Sequence, residues 1–442
     1  MARTITEGEY RLAHEALSMA IQAGAAKARV TLTKNVTDLV GTRDGAIDKV
    51  THSLDRSLSL ALFVDGRFGT FSTNRLESVA LQEFVASAIA MTRTLVPDSA
   101  RDLPSPERTA RGACDYGLYD PAVENLTEDE RIRIALGAVL KREGLEAKVV
   151  SEEAEYSDST TETLTIDSQG LDCREKETSF EMGCEITVED EGGNKFSAYW
   201  WDASPRLDRL DSTTCASKAY QRAVDQIGPR PMASVKTNLV VDSECASKLL
   251  TPILTALSGY SLQQHNSFLL DSLGKKAFGD NVTLLDRPHE FGRSGSRMCD
   301  SEGVRTEDAD IIRDGVISRY FINTYISRKT GLSPTIEDAS RPVLVPTGGC
   351  KTLSDLLSLT GEGILVTGFN GGNSNSSTGD FSYGVDGFLF RDGRIVHPVR
   401  EVLITGNFLT LWNNLAATAD DARPCMSKVI PSLAFRDVDF SA

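Results

Sequence analysis

Side chains able to do polar chemistry are unevenly supplied in this sequence. Histidine is scarce, with five residues at His14, His52, His265, His289 and His397, no two of them close in sequence. A mechanism needing several imidazoles must therefore assemble them from distant segments. Two His-Glu pairs, His14-Glu15 and His289-Glu290, begin like a zinc-peptidase helix. In such a helix a second histidine about one turn later joins the metal site while the glutamate activates its water. The positions four and five beyond are Ser18 and Met19 in one case and Arg293 and Ser294 in the other, so neither pair is completed. His14 reads as a solvated helix position and His289 as part of a loop after Pro288. Gly292-Arg293-Ser294-Gly295 is one residue short of a nucleophile elbow. In Pro346–Thr352 no glycine stands at the required start and Cys350 separates glycine from lysine, which excludes a phosphate loop. Acidic neighbours such as Asp308 and Asp310 read as solvated turn residues. The eight cysteines, at 114, 173, 184, 215, 245, 299, 350 and 425, contain no CxxC. They read as reduced and mostly buried small residues, neither a disulfide framework nor a zinc knuckle.

One segment offers its backbone instead. Between Gly368 and Asn407 lies the run Gly371, Gly372, Asn373, Ser374, Asn375, Ser376 and Ser377. Such a run predicts a flexible loop with many free amides. It is either a long surface loop on a β-domain or a loop whose backbone pairs with an extended peptide.

The elements that would position these groups are antiparallel. Thr6 and Glu9 form a capping-box signature for a helix from Glu7 to about Ala23. Asn74 with Glu77 suggests another over Arg75 to about Arg93, and Thr127 with Glu130 a third to about Arg142. Alternating strands are predicted around residues 29–33, 37–42, 57–64, 67–72, 148–155, 161–167, 178–189 and 194–201, with a helix from Ser212 to Gln226. Asp44-Gly45, Asp65-Gly66, Asp314-Gly315 and Asp392-Gly393 are hairpin turns. Residues 97–112 read as a linker, and Gly228-Pro229-Arg230-Pro231 is the clearest boundary because proline continues neither a helix nor a central strand. Beyond it a strand (Thr237–Val241) precedes a helix capped by Ser243 and running to about Leu262. The pattern predicts an α+β protein of mainly antiparallel sheets with flanking helices. It has three segments, 1–105, 113–227 and a strand-rich 232–442. The formal net charge of −16, from 63 acidic and 47 basic residues, opposes direct nucleic-acid binding. No apolar run spans a membrane, and the opening residues lack a signal-peptide pattern, so a cytoplasmic location is expected.

Ser377-Thr378-Gly379-Asp380-Phe381-Ser382, the run Gly393–Arg400 and Ile404-Thr405-Gly406-Asn407 together resemble the C-terminal block of the TldD/PmbA family. The resemblance extends over nearly the whole chain, including Val240-Val241-Asp242 before a helix and the closing Pro431-Ser432-Leu433. It implies a cytoplasmic peptidase system with two branches. One branch, TldD, holds a catalytic zinc through a His-Glu-x-x-x-His helix and a C-terminal cysteine. The other, PmbA or TldE, lacks the metal and is the partner subunit.

Laid on that motif, Leu254–Leu262 matches with Gly259 and Leu262 in register. Thr255 then stands at the first histidine, Ala256 at the glutamate and Tyr260 at the second histidine. A methyl group cannot take a proton from water, and Thr255 and Tyr260 are poor zinc ligands. Positions five apart on a regular helix differ by about 140°, so without a metal to hold a distortion a more regular helix is expected here. Cys425 lies near the family's cysteine ligand but makes no zinc site alone. The resemblance thus implies a non-catalytic subunit with no cofactor of its own. The zinc is expected in a TldD-type partner with which it forms a heterodimer around an extended peptide. The family's older label, modulator of DNA gyrase, would then act through peptide or protein partners. A self-sufficient peptidase with an unrecognised site, and a homodimeric peptide-binding or regulatory protein, are the alternatives.

Overall fold

The computed structural model describes residues 2–112 and 114–441. It divides into two compact units. The first comprises Met1–Ala223, His289–Thr306 and Thr324–Leu332, and the second Val224–Pro288, Glu307–Asn323 and Ser333–Ala442.

In the first unit, α1 (Glu7–Gln22) starts where Thr6 and Glu9 exchange capping hydrogen bonds. It leads into β1 (Lys27–Arg43), β2 (Ala46–Val64), β3 (Arg67–Thr73), α2 (Ser78–Thr92), α3 (Glu128–Gly137), β4 (Lys148–Asp167), β5 (Asp172–Glu189), β6 (Lys195–Ser204) and α4 (Cys215–Val224). The strands form one antiparallel sheet in the order β3-β2-β1-β4-β5-β6. Strands from residues 1–105 and 113–227 therefore share a sheet, joined where β1 pairs β4 from Arg29↔Asp167 to Arg43↔Glu153. Alternation drives this: Val30 and Leu32 on β1 and Leu58, Leu60 and Leu62 on β2 pack with Ala13, Ala16 and Ala20 of α1. The Asp-Gly turns at 44–45 and 65–66 place both residues at positive φ, matching the strand twist.

Several local expectations are corrected. Asn74 does not cap α2: the Thr73 hydroxyl accepts the Arg75 N–H at 3.1 Å, and the helix begins at Ser78 after an extended Glu77, which makes no side-chain cap. α3 ends at Gly137, short of Arg142, and the buried Glu152 carboxylate takes the Leu140 N–H at 2.6 Å. The strands predicted at 148–155 and 161–167 are one twenty-residue strand, β4. Its polar middle is buried because arginines meet it. Arg131 grips Asp158 with two bonds, 2.6 and 2.9 Å, and Arg3 reaches Asp158 at 2.9 Å and Thr160 at 3.1 Å. Arg174 meets Glu162 at 2.5 Å.

The second unit contains β7 (Val235–Val241), α5 (Ser247–Ala256), α6 (Gly259–Gln263), β8 (Leu284–Asp286), β9 (Ala309–Arg313) and β10 (Val316–Ile317). After α7 (Thr324–Thr330), which belongs to the first unit, follow β11 (Pro342–Leu344), α8 (Leu353–Thr360), β12 (Gly363–Ser374), β13 (Asp380–Arg391), β14 (Arg394–Asn407), α9 (Phe408–Asn413), β15 (Leu415–Thr418) and β16 (Leu433–Ser441). A small antiparallel sheet runs β10-β9-β8-β11. The larger one runs β14-β13-β12-β7-β16-β15, and the further pairing of β14 with β16 closes five of its strands into a ring. Among the described strand pairs of this sheet only β12 with β7 is parallel. Val240, Leu365, Phe390 and Ala434 fill the core under α8. The fold is thus α+β with mainly antiparallel sheets. Among the described residues no helix is long and apolar enough to cross a membrane.

The helix predicted from Ser243 to Leu262 is also corrected: it starts at Ser247 and breaks at 257–258 into α5 and α6. Three contacts cause the break. Ser258 caps α6 by accepting the Ser261 N–H at 3.2 Å, Gly259 N–H donates to the Phe321 carbonyl at 2.6 Å, and the Ser267 hydroxyl donates to the Ala256 carbonyl at 2.6 Å. The regular helix expected here does not form.

Candidate functional site

The predicted site residues converge in part. One face of α5 presents Lys248, Thr251, Pro252 and Thr255, the three- and four-residue spacing of a helix stripe. Opposite lie Ser374, Asn375 and Ser376, at the end of β12 and in the turn into β13. Together with Phe268, Tyr383 and Phe408 they enclose a cavity of about 210 Å³. Thr255 and part of the Gly371–Ser377 run, separate in sequence, thus line one cavity. Ala256 is buried away from it and Tyr260, on α6, is 70% exposed and outside its lining. The break between α5 and α6 separates the positions that resemble the two histidines.

The Gly371–Ser377 run is more ordered than its composition predicts. Gly371, Gly372, Asn373 and Ser374 belong to β12 and pair with Gly384, Tyr383, Ser382 and Phe381 of β13. Glycine is needed at 372, where φ is +105° and a Cβ would strike the Ser382 carbonyl. The turn that follows is pinned. The Asn375 side chain accepts the N–H groups of Ser377 (2.9 Å) and Thr378 (3.3 Å), and Gly379 N–H donates to the Asn375 carbonyl at 2.8 Å. Ser376 C=O accepts the Phe268 N–H at 2.9 Å, and the Ser377 hydroxyl donates to Asn266 at 2.7 Å. Asn407 and Thr378 donate to the Asp380 carboxylate and hold its pKa below the ordinary value. The expectation of a flexible loop with free amides is therefore corrected to a strand end and a hydrogen-bonded turn. β12 pairs with β7 only at Ile364–Val366. From Gly368 to Ser374 no strand among the described residues covers its second edge, and Gly371–Ser374 are exposed.

The cavity floor is aromatic: Phe408 stacks on Phe381 at 4.7 Å and lies 6.0 Å from Phe268. The Lys248 ammonium stands 5.0 Å above the Tyr383 ring. Hydroxyls of Thr251 and Thr255 donate back to the helix carbonyls of Ser247 and Thr251 at 2.9 and 3.0 Å. Thr251 also accepts from Lys428 at 3.0 Å, and Arg423 pairs with Glu244, so the loop carrying Cys425 runs beside α5. No general base and no set of three metal-ligating side chains meets at this cavity among the described residues. The cavity thus combines one cation, an aromatic floor and an open strand edge. Lys248, Phe268, Tyr383 and Phe408 escaped sequence reasoning. The α5 stripe and the alternation of Phe381 with Tyr383 are the signals that could have found them.

Three domain models of one family match the chain in order. They are the PmbA/TldA metallopeptidase domain 1 over residues 28–92, the central domain over 121–227 and the C-terminal domain over 234–442. A metalloprotease PmbA homologue of Haemophilus influenzae is 30% identical over 416 residues, covering 92% of this chain and 90% of its own. A solved Bacteroides thetaiotaomicron protein, described as a candidate modulator of DNA gyrase, is 40% identical and superposes with a TM-score of 0.95 over 99% of this chain and 100% of its own. TldE of Thermococcus kodakarensis shares the fold with a TM-score of 0.82 at 20% identity, over 98% of this chain and 100% of its own.

Proposed function

Because the chain belongs to the PmbA/TldD metallopeptidase family, we propose that it is a PmbA/TldE-type subunit without a catalytic metal. In this reading it pairs with a TldD-type subunit whose zinc cleaves peptides in the cytoplasm, and segments 1–105, 113–227 and 232–442 are its three modules. One observation carries the proposal. The positions that resemble the zinc motif hold Thr255, Ala256 and Tyr260, on two helices separated by a break, with a methyl group where a base is needed. The cavity between α5 and the β12 end, with the open edge at Gly371–Ser374, then serves to hold the extended substrate. Pairing with that edge would add backbone hydrogen bonds of low sequence preference, suited to degrading or processing many peptides.

The test is reconstitution. The chain alone, supplied with zinc, leaves an unstructured peptide intact. Mixed with a TldD-type subunit carrying His-Glu-x-x-x-His, it co-elutes as an equimolar complex that cleaves the peptide. Chelator-sensitive cleavage by the chain alone would overturn the reading in favour of a self-sufficient peptidase. A stable homodimer that ignores the TldD-type subunit would favour a binding protein.

A further inference from the structure

Two cysteines far apart in sequence meet in the first unit. Cys173 on β5 and Cys299 in the segment His289–Thr306 bring their Sγ atoms to 3.1 Å. Glu175, two positions along the same strand face as Cys173, brings Oε2 to 3.9 Å from the Cys299 sulfur. Ligating atoms of all three lie within 4.8 Å of one another. The two thiols are buried beside Ala110, Leu171, Met298 and Tyr116. The second Glu175 oxygen accepts the Met298 N–H, which holds the carboxylate toward the sulfur pair.

We propose that Cys173, Cys299 and Glu175 bind a thiophilic divalent cation of the zinc type, which ties the His289–Thr306 segment to β5. Tetrahedral coordination, with metal–sulfur bonds of about 2.3 Å and metal–oxygen bonds of about 2.0 Å, sets S···S at about 3.8 Å and S···O at about 3.5 Å. From the observed separations the sulfurs part by about 0.7 Å and the carboxylate closes by about 0.4 Å. The cation displaces one proton from each thiol, forming two metal–sulfur bonds and releasing two protons, while Glu175 binds as the carboxylate and a water completes the shell. No electron moves. A disulfide, the rival use of two adjacent sulfurs, needs an oxidant and gives the carboxylate no part. The site stands independently of the proposed peptide function.

The full chain, reduced and stripped with a chelator, is titrated with Co²⁺. One equivalent binds with thiolate-to-cobalt charge-transfer absorption, Zn²⁺ displaces it, and the melting temperature rises with metal. Cys299→Ala loses the absorption, whereas Cys425→Ala keeps it. Should Cys299→Ala fail to fold, the wild-type chain decides: zinc shields Cys173 and Cys299, and not Cys114, from alkylation read by mass spectrometry. The proposal is overturned by absence of the charge-transfer band. It is equally overturned by a band kept in Cys299→Ala, or by a Cys173–Cys299 disulfide whose reduced form takes up no cobalt.

Discussion

Single residues set both the cavity and the charge interior. At the cavity, replacing Lys248 by Glu removes the cation above Tyr383 and puts an anion at the strand end. This charge reversal should lower the peptide affinity of the reconstituted complex several-fold, measured by fluorescence anisotropy, while assembly is unchanged. Unaltered affinity would separate this cavity from the substrate path. In the first unit, Glu9 shows how a buried carboxylate is kept charged. Burial alone would raise its pKa. Hydrogen bonds from the Thr6 N–H, Arg56, the Thr6 hydroxyl and Lys34 outweigh it and bring the value from the ordinary 4.5 down to about 2. A folded-state value below the unfolded one stabilises the protein above pH 4.5, and that stability is lost as pH falls from 4.5 through 2. Glu9→Gln should therefore flatten the acid limb of stability over that window. At neutral pH it should cost about 2–3 kcal/mol by leaving Lys34 short of its partner, read from urea unfolding midpoints at each pH.

Among the elements, those whose causes are local were legible and those whose causes are distant were not. Thr6 with Glu9 and Thr127 with Glu130 announce their helices because both halves of the cap lie within four residues. The four Asp-Gly hairpins were visible for the same reason, each with both residues at positive φ. Strand β4 reads as two from sequence because Asp158 and Thr160, in the gap at 156–160, look like solvent-facing residues, and their partners come from Arg3 and Arg131. Removing such a partner should be severe. Arg131→Met leaves the fully buried Asp158 carboxylate with Arg3 as its remaining ion partner and should destabilise the first unit by about 3 kcal/mol in denaturant unfolding. The break between α5 and α6 was hidden likewise, since the carbonyl that anchors Gly259 belongs to Phe321. At the candidate site, Thr255 and Ser374–Ser376 were named from sequence, whereas the aromatic floor that unites them required the fold. Turn glycines make a paired test. Gly66 at φ +72° has open space where a Cβ would stand, while at Gly315, φ +79°, it would strike the Phe278 carbonyl. Gly66→Ala should cost about 1 kcal/mol and Gly315→Ala distinctly more, compared by thermal denaturation.

For the whole molecule, charge and chain routing matter most. A net charge of −16 with no clustered basic run opposes a phosphate backbone, most strongly at low salt. Gel-shift titrations with duplex DNA should show no complex, and a salt-sensitive shift would contradict this. Any influence on a DNA-handling enzyme would then run through protein or peptide contacts. Routing sets a second condition on the molecule. The first unit is not a contiguous stretch: it includes His289–Thr306 and Thr324–Leu332. Within it, Ala110 donates to the Gly303 carbonyl at 2.9 Å and Thr324 to the Glu302 carboxylate at 2.8 Å. Vectorial synthesis consequently cannot complete the N-terminal half first, the usual order for multidomain chains. Nascent chains released before residue 332 should remain open to protease around β5, and the unit should become resistant only after that stretch has left the ribosome.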